Sequence, residues 1–166
     1  MPASRRPAAV ADMKRLAIIL ALTLAGCAAG APAPNAGRAD APVLSIVADP
    51  DANGRRPVAV DVVRVADPAL AGRLAGLDAA GWFRDREALS AEAGNRIAIA
   101  SWEMVPGQSV LLHSLPPFAT PPIQTLVYAL YGAPGTHRQA LDGAGALDVR
   151  LGRDTFTVAP LTEGTP

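Results

Sequence analysis

One cysteine, Cys27, stands where its neighbours specify a chemical modification. It ends the run Leu24-Ala25-Gly26-Cys27 and is the only cysteine among the 166 residues. Lys14 and Arg15 precede the uncharged residues 16–25, which gives the basic flank and short apolar core of a secretory signal peptide. This core is too short to cross a bilayer as a helix, which needs about 20 residues. The ending resembles the bacterial lipobox, where the chain is cleaved on the N-terminal side of the cysteine and the cysteine thiol is lipidated with acyl chains such as palmitate. The alternative is an ordinary signal peptide with an incidental cysteine.

The other residues capable of chemistry form no recognisable site. His113 falls on a predicted strand and His137 in a predicted loop, whereas zinc sites usually need three or four ligands. We therefore expect His113 to be a half-buried strand residue. No G-x-S-x-G, P-loop or Rossmann motif occurs, and the spacing of Asp85, Glu87 and Glu92 is typical of a solvated surface. The sequence predicts no enzyme, no metal site and no cofactor beyond covalent lipid on Cys27.

Charge and composition restrict the class of partner. Four basic residues and one acidic residue precede Cys27, which leaves 11 basic and 14 acidic residues in the part that begins there. The basic residues form no cluster of the kind that nucleic acid binding requires, so we expect no nucleic acid partner. Trp82, Phe83 and Trp102 are interpreted as core anchors, with ligand stacking as the alternative.

The chain divides into four regions. Residues 1–26 are the predicted signal peptide, 27–41 a flexible tether, 42–160 a folded β-sandwich domain and 161–166 a disordered tail. The tether is predicted because residues 28–37 are small and include Pro and Gly, and so cannot bury a core. Ala28 follows the cysteine, where Asp usually signals inner-membrane retention of bacterial lipoproteins. We therefore expect a lipid anchor in the outer membrane and a folded domain in the periplasm.

Residue patterns in the folded region predict about seven strands. Residues 43–48 and 58–65 are the first two, and the turn-forming residues 49–57 join them. Asp61 and Arg64 lie on opposite faces of the second strand, which indicates a strand covered on one face and edged by a loop on the other. Residues 96–104, 108–115, 123–131, 146–151 and 155–159 are the remaining strands, with hairpins expected across 105–107 and 152–154.

A helical insertion is expected after the second strand. Asp67-Pro68 is suited to begin a helix, and Leu70, Leu74 and Leu77 then share one face. Residues 85–95 are interpreted as a second short helix or a loop. Together these elements predict a mainly β fold, a small β-sandwich with a helical insertion.

Several stretches, in order, resemble the TssJ family of outer-membrane lipoproteins from type VI secretion systems. Residues 49–65 resemble its N-P-D-x-x-G-R-P-S-P loop and V-V-V-R-V-Y-Q-L strand, and Asp67-Pro68 matches the start of its helical insert. Residues 105–109 resemble its P-G-E/Q-S turn, residues 126–131 its V-V-A-A-Y strand and residues 147–154 its closing hairpin. The sequence departs from the pattern at Ala48, in the shortened Arg55-Arg56-Pro57, at Ala66, and at His137, where the family often has Trp.

The resemblance implies a transthyretin-like β-sandwich that acts as an anchor. Acyl chains would hold the protein in the outer membrane, and the folded domain would bind the periplasmic region of TssM, an IcmF-like inner-membrane protein, alongside TssL. The family's loop between the first two strands takes part in that contact. On this chain the partner-binding residues would be Asp49, Asp51, Asn53, Gly54, Arg55 and Arg56. The alternatives are a solvated turn at this loop and, for the whole protein, a periplasmic lipoprotein that binds a small ligand or carbohydrate on Trp82 or Trp102.

Overall fold

The computed structural model describes residues 43–142 and 145–161, which form two four-stranded sheets and a helical layer. The strands are β1 (Leu44–Ala48), β2 (Val58–Val65), β3 (Ile97–Met104), β4 (Ser109–Leu112), β5 (Gln124–Leu130), β6 (Arg138–Asp142), β7 (Leu147–Leu151) and β8 (Phe156–Pro160). Their order is β4-β1-β7-β8 in one sheet and β3-β2-β5-β6 in the other. Only the β1–β7 pair is parallel among the described pairs. The predicted β-sandwich with a helical insertion is confirmed.

The strand count and one connection differ from the prediction. The described residues contain eight strands, because β6 lies within a segment that was predicted as a loop from its Gly and Pro residues.

The hairpin expected across 105–107 is wrong, since β3 pairs with β2 and β4 pairs with β1. Pro106 and Gly107 do reverse the chain, and the Gly107 N–H donates to the Ala48 carbonyl at 3.0 Å. A turn motif specifies a reversal of direction but not which sheet the next strand joins. The expected hairpin between β7 and β8 is confirmed.

The layer between the two sheets is apolar. Ile46, Val60, Val62, Val127 and Val149 are at most 1% exposed. They come from alternate positions of four strands, so each strand contributes one face to the same core. Burial of these side chains is the main favourable term for joining the two sheets.

Helices cover the other face of the β3-β2-β5-β6 sheet. They are α1 (Pro68–Ala75) and α2 (Ala79–Ala93), followed by a 3₁₀ turn at Gly94–Arg96. Asp67 begins α1 as predicted, because its carboxylate accepts the Leu70 N–H at 2.7 Å. The prediction for residues 85–95 was too short: α2 begins after Asp78, whose side chain accepts the Gly81 N–H at 2.7 Å.

An acidic side chain lies beneath α2. Asp61 of β2 is 1% exposed, and its Oδ2 accepts a hydrogen bond of 2.8 Å from Trp82 Nε1. Arg86 NH1 forms an ion pair with the same oxygen at 3.0 Å. α2 therefore covers the face of β2 that carries Asp61. On the opposite face, the expected loop lies beside the strand only at Arg64, which donates to the Pro116 carbonyl in the connection between β4 and β5. The polarity of Asp61 is explained by a partner on a helix that the strand sequence alone does not reveal.

The end of α1 is bonded to the sheet. The Tyr128 hydroxyl donates to the Leu74 carbonyl at 2.6 Å, and its ring stacks on Trp82 with centroids 4.9 Å apart. Arg138 NH1 donates to the Ala75 carbonyl and, at 3.0 Å, to the Leu77 carbonyl. Carbonyls at a helix C-terminus have no partner within the helix, and a cation is favourable there. The sheet therefore supplies the missing donors.

Candidate partner-binding surface

Four connections meet at one end of the sandwich. The register pairs Val58 with Met104, Ala59 with Leu130, Ala48 with Leu151 and Leu151 with Phe156. Residues 49–57, 105–108, 131–137 and 152–155 therefore lie together, at what we call the loop end. Val43, where the described chain begins, lies at the opposite end, because its N–H donates to the Leu112 carbonyl at 2.7 Å. We call that opposite end the base.

The loop of residues 49–57 has an unusual backbone. Asn53, Gly54 and Arg55 have φ values of 48°, 60° and 67°, in the left-handed region that residues other than Gly and Asn rarely adopt. The Asn53 N–H donates to the Gly152 carbonyl at 3.2 Å, and the Gly54 N–H to the Arg153 carbonyl at 3.1 Å. These bonds hold the loop against the β7–β8 turn and compensate for its conformational cost.

The Asn53 side chain fixes the loop from inside. Asn53 is 7% exposed, its Nδ2 donates to the Pro57 carbonyl at 2.8 Å, and its Oδ1 accepts the Gly132 N–H at 2.8 Å. One side chain thus closes the loop and joins it to the connection after β5. Asn53 is internal, so in this structure it positions the loop.

The two arginines of the loop differ in their surroundings. Arg55 is exposed, and its guanidinium makes no hydrogen bond or ion pair to any described residue. Arg56 Nε donates to the Asn53 carbonyl at 3.2 Å, and its guanidinium lies so close to Gly132 that a Cβ there would collide with it. Arg55 is therefore the more available donor for a partner.

The remaining residues expected to bind a partner lie on the same loop. Asp49 is half-buried and its carbonyl accepts the Ala52 N–H at 3.0 Å. The Asp51 carboxylate is 3.8 Å from Arg153 NH1, a partly exposed ion pair on the β7–β8 turn. Gly54 is exposed. The loop end thus carries acidic and basic groups side by side.

An aromatic cluster that the sequence did not predict supports this end. Tyr131 stacks on His137 with ring centroids 4.8 Å apart, and its hydroxyl donates to the Thr155 carbonyl at 3.0 Å. Burial, followed by the nearby carboxylates of Asp49 and Asp154, raises the pKa of Tyr131. His137 Nε2 lies 2.7 Å from the Ala133 carbonyl oxygen. The sequence offered one indication of this cluster, because the TssJ family often has an aromatic residue, Trp, at the position of His137.

The histidine and acidic residues that the sequence analysis considered for chemistry form no site among the described residues. His113 is exposed and follows the end of β4, so the half-buried strand position expected for it was wrong. No set of three or more His, Cys, Asp or Glu within the described ranges could hold a metal ion. Asp85 and Glu92 form partly exposed ion pairs with Arg84 and Arg73, each at 2.7 Å, consistent with a solvated helix surface.

The tryptophans have structural positions. Trp82 is fully buried, as expected for a core anchor, and therefore presents no face for a ligand. Trp102 is half-buried and packs against the core between the sheets.

The predicted signal peptide, the tether with Cys27, and residues 162–166 of the predicted tail lie outside the described residues. Within the described part, neither α1 nor α2 is long and apolar enough to span a membrane.

Comparisons with known proteins give structural matches only. No protein-family profile and no curated protein matches the sequence. A chain of a type VI membrane complex has 22% identity and a TM-score of 0.53, over 70% of this chain and 95% of that chain. The T6SS lipoprotein TssJ1 from Pseudomonas aeruginosa has 19% identity and a TM-score of 0.50, over 73% and 95%. A structure of the T6SS protein TssM C-terminal domain from EAEC has 17% identity and a TM-score of 0.50, over 71% and 96%. The chain therefore has the fold of TssJ lipoproteins of the type VI secretion system, which confirms the fold implied by the sequence resemblance.

Proposed function

We propose that this protein is a TssJ-type outer-membrane lipoprotein that anchors a type VI secretion membrane complex by binding a TssM-like periplasmic domain. The observation that carries the proposal is the loop of residues 49–57, which is fixed by Asn53 and presents the unpaired guanidinium of Arg55. This loop lies at the end of the sandwich opposite Val43. A domain tethered through its base would therefore present the loop away from the tether.

The anchor in this proposal is lipid on Cys27. A single acyl chain binds a membrane only marginally, with a constant of about 10⁴ M⁻¹, whereas two or more chains give stable attachment. Lipoprotein maturation supplies several chains, and Ala28 favours the outer membrane. The fold shared with TssJ lipoproteins supports this localisation, and the folded domain would then lie in the periplasm.

The partner contact would be made by a preformed loop. Binding groups on a rigid scaffold need little ordering on association, so less conformational entropy is lost. A guanidinium presents several donors in a fixed plane and suits carboxylate or carbonyl acceptors on a partner. The similarity to structures from type VI secretion systems favours a TssM-like partner, within a complex that also contains TssL.

The proposal is tested by binding of the mature protein to a soluble TssM-like periplasmic fragment. We expect Arg55→Glu to weaken this binding by about tenfold or more, because it replaces an unpaired donor with a carboxylate. That carboxylate repels an acidic group on the partner and has no hydrogen to donate to a carbonyl. The matched control is Arg150→Glu, on the solvent face of β7, which should bind as the wild type does. Adding Arg56→Glu should weaken binding further. This contact would be excluded if the wild type did not bind the fragment, or if Arg55→Glu and Arg150→Glu changed the affinity equally.

The anchor is tested separately. Cys27→Ser should release the protein from the membrane fraction into the soluble periplasmic fraction. A variant that fractionates with membranes as the wild type does would overturn lipidation of Cys27 as the means of attachment.

Binding of a small ligand or carbohydrate has less support. Trp82 of α2 is fully buried, where its ring nitrogen donates to Asp61 and its ring stacks on Tyr128, so one of the two proposed stacking platforms is not accessible.

A further inference from the structure

A cavity opens at the base of the sandwich, away from the partner-binding loop. Its volume is about 180 Å³, and Val43, Leu115, Leu147, Thr125 and Arg64 contribute to its lining. A water molecule occupies about 30 Å³ in the liquid, so the cavity has room for a small tetrahedral anion with its remaining water. Val43, Leu115 and Leu147 supply apolar side chains to its wall, and Thr125 and Arg64 supply polar ones.

Arg64 places a cation at this cavity. It occupies an inward-facing position of β2, in line with Val60 and Val62, but near the end of the strand where the sandwich opens. Its guanidinium donates to the Pro116 carbonyl and lies 5.5 Å from the centroid of the Phe118 ring. Both groups are uncharged, so these contacts orient the cation without neutralising it.

Arg64 and Arg86 provide an informative contrast. Arg86 is partly covered and pairs with the buried carboxylate of Asp61 at 3.0 Å. Arg64 is also half-buried, yet no described carboxylate forms an ion pair with it. Burial lowers the pKa of Arg64, because the charged form loses hydration without gaining a counter-charge. A half-buried guanidinium that no described carboxylate neutralises is suited to bind an anion from solution or from a membrane.

We infer that the cavity binds a phosphate group through Arg64. Guanidinium and phosphate match in charge and in geometry, because two parallel N–H groups can donate to two oxygens of the same phosphate. The apolar walls reduce the screening of this interaction by water and so strengthen it. The phosphate could belong to a membrane lipid headgroup or be free in solution.

The position of the cavity favours the lipid source. Val43 lines the cavity and lies 16 residues after Cys27. The sequence predicts a flexible tether over residues 27–41, and a flexible segment of 16 residues has a root-mean-square span of roughly 20–24 Å. If Cys27 carries lipid, as in the proposed function, headgroups lie within reach of the base. The phosphate site itself depends neither on lipidation nor on the partner-binding loop.

The inference is tested with the mature protein purified in a maltoside detergent, which contains no phosphate. Inorganic phosphate, dioctanoyl phosphatidylglycerol and dioctanoyl phosphatidylcholine are titrated separately by calorimetry. We expect binding of at least one phosphate-containing probe and a loss of affinity of about tenfold or more in Arg64→Gln, since a charge-assisted hydrogen-bonding partner is removed. Arg150→Gln is the matched control and should bind as the wild type does. Tighter binding of phosphatidylglycerol than of inorganic phosphate would identify the lipid as the source, and the reverse order would identify a free anion.

A second pair of variants guards against a folding defect in Arg64→Gln. Arg64→Lys keeps the charge but not the two parallel donors, so its affinity should lie between those of the wild type and Arg64→Gln. Leu115→Trp should fill the cavity and abolish binding while Arg64 remains. Binding that is unchanged in Arg64→Gln or in Leu115→Trp, or that is absent from the wild type for all three probes, would overturn the inference. Failure here leaves the Arg55 experiment unaffected, because that contact lies at the opposite end of the sandwich.

Discussion

Strand β2 has two buried faces that are built in different ways. Towards the other sheet it presents Val58, Val60 and Val62, which pack in an apolar layer, and Arg64 at the open end of that face. Towards the helices it presents Val63 and Val65, but also Asp61, which is bonded to Trp82 and Arg86. An apolar layer tolerates small adjustments, whereas a buried carboxylate is satisfied by only one arrangement of its donors. We therefore expect the sheets to set the stability of the sandwich, and Asp61 to set where α2 sits.

The largest effect should come from removing Trp82. Trp82→Ala should lower the free energy of unfolding by about 3–5 kcal/mol, because a fully buried ring and its stacking on Tyr128 are both lost. Val62→Ala, on the other face of the same sheet, should cost only about 2 kcal/mol. Urea unfolding gives both values, and hydrogen exchange should show α2 opening before the strands in Trp82→Ala alone. Equal costs and equal exchange patterns would mean that the two layers do not differ.

Removing the buried carboxylate should come next. Asp61→Ala leaves the Trp82 N–H without its acceptor and should cost about 3 kcal/mol. Asp61→Asn keeps an acceptor of similar shape and should cost roughly half as much. The difference between these two variants, measured by thermal unfolding, separates the hydrogen bond from the charge. If Asp61→Ala were as stable as the wild type, the polar arrangement beneath α2 would have no structural role.

At the loop end, the effect should be smaller and should extend to binding. Asn53→Ala leaves the Gly132 N–H and the Pro57 carbonyl without their partner and should cost about 2 kcal/mol. It should also weaken binding to the TssM-like fragment without changing the surface charge. Asn95→Ala, in the exposed 3₁₀ turn, is the control and should be neutral. Wild-type affinity in a folded Asn53→Ala protein would show that the loop needs no fixed conformation to bind.

The free energy of unfolding should depend on alkaline pH through two tyrosines, one in each buried layer. Burial is the main cause that raises the pKa of Tyr128, on the helix side, and of Tyr131, on the side between the sheets. The unfolded chain releases these protons near pH 10, while the folded protein retains them. Stability should therefore be unaffected by these groups below pH 10 and fall above it, by about 1.4 kcal/mol per pH unit for each tyrosine.

Tyr128→Phe separates the contributions. Urea unfolding between pH 9 and pH 11 should show about half of the wild-type slope in this variant. It should also show a pH-independent loss of about 1 kcal/mol from the missing hydrogen bond to the Leu74 carbonyl. An unchanged slope would show that Tyr128 titrates alike in the folded and unfolded states.

The fold was predictable where its signals are local. The apolar runs that became β2 and β5 were found within one residue of each end, and Asp67-Pro68 gave the start of α1. The connection between β3 and β4 was not predictable, because Pro106 and Gly107 specify a turn and not a partner strand. The start of α2 was missed because few of its side chains are buried, so it shows little periodicity. Strand β6 was missed because it has no fully buried residue and follows a Gly- and Pro-rich segment.

The candidate surface shows a similar division. The sequence placed a turn-forming loop at residues 49–57, and within it Asn53 and Gly54 have the left-handed backbone that suits these residue types. It did not reveal that Asn53 points inward, because the bond to Gly132 joins residues far apart in sequence. It also treated Arg55 and Arg56 as equivalent, and only packing against Gly132 distinguishes them. Long-range contacts of this kind carry no signal in a single sequence.

The parallel pairing of β1 with β7 has a consequence for the order of folding. Leu44 pairs with Leu147, so the first described strand waits for a partner near the end of the chain. Loop closure over such a separation is slow, and folds dominated by distant contacts form on timescales of roughly milliseconds to seconds. The β4-β1-β7-β8 sheet cannot assemble on a growing chain until its last strands are available. For a protein exported as proposed, this late assembly would leave more time for the chain to reach the inner membrane before it folds.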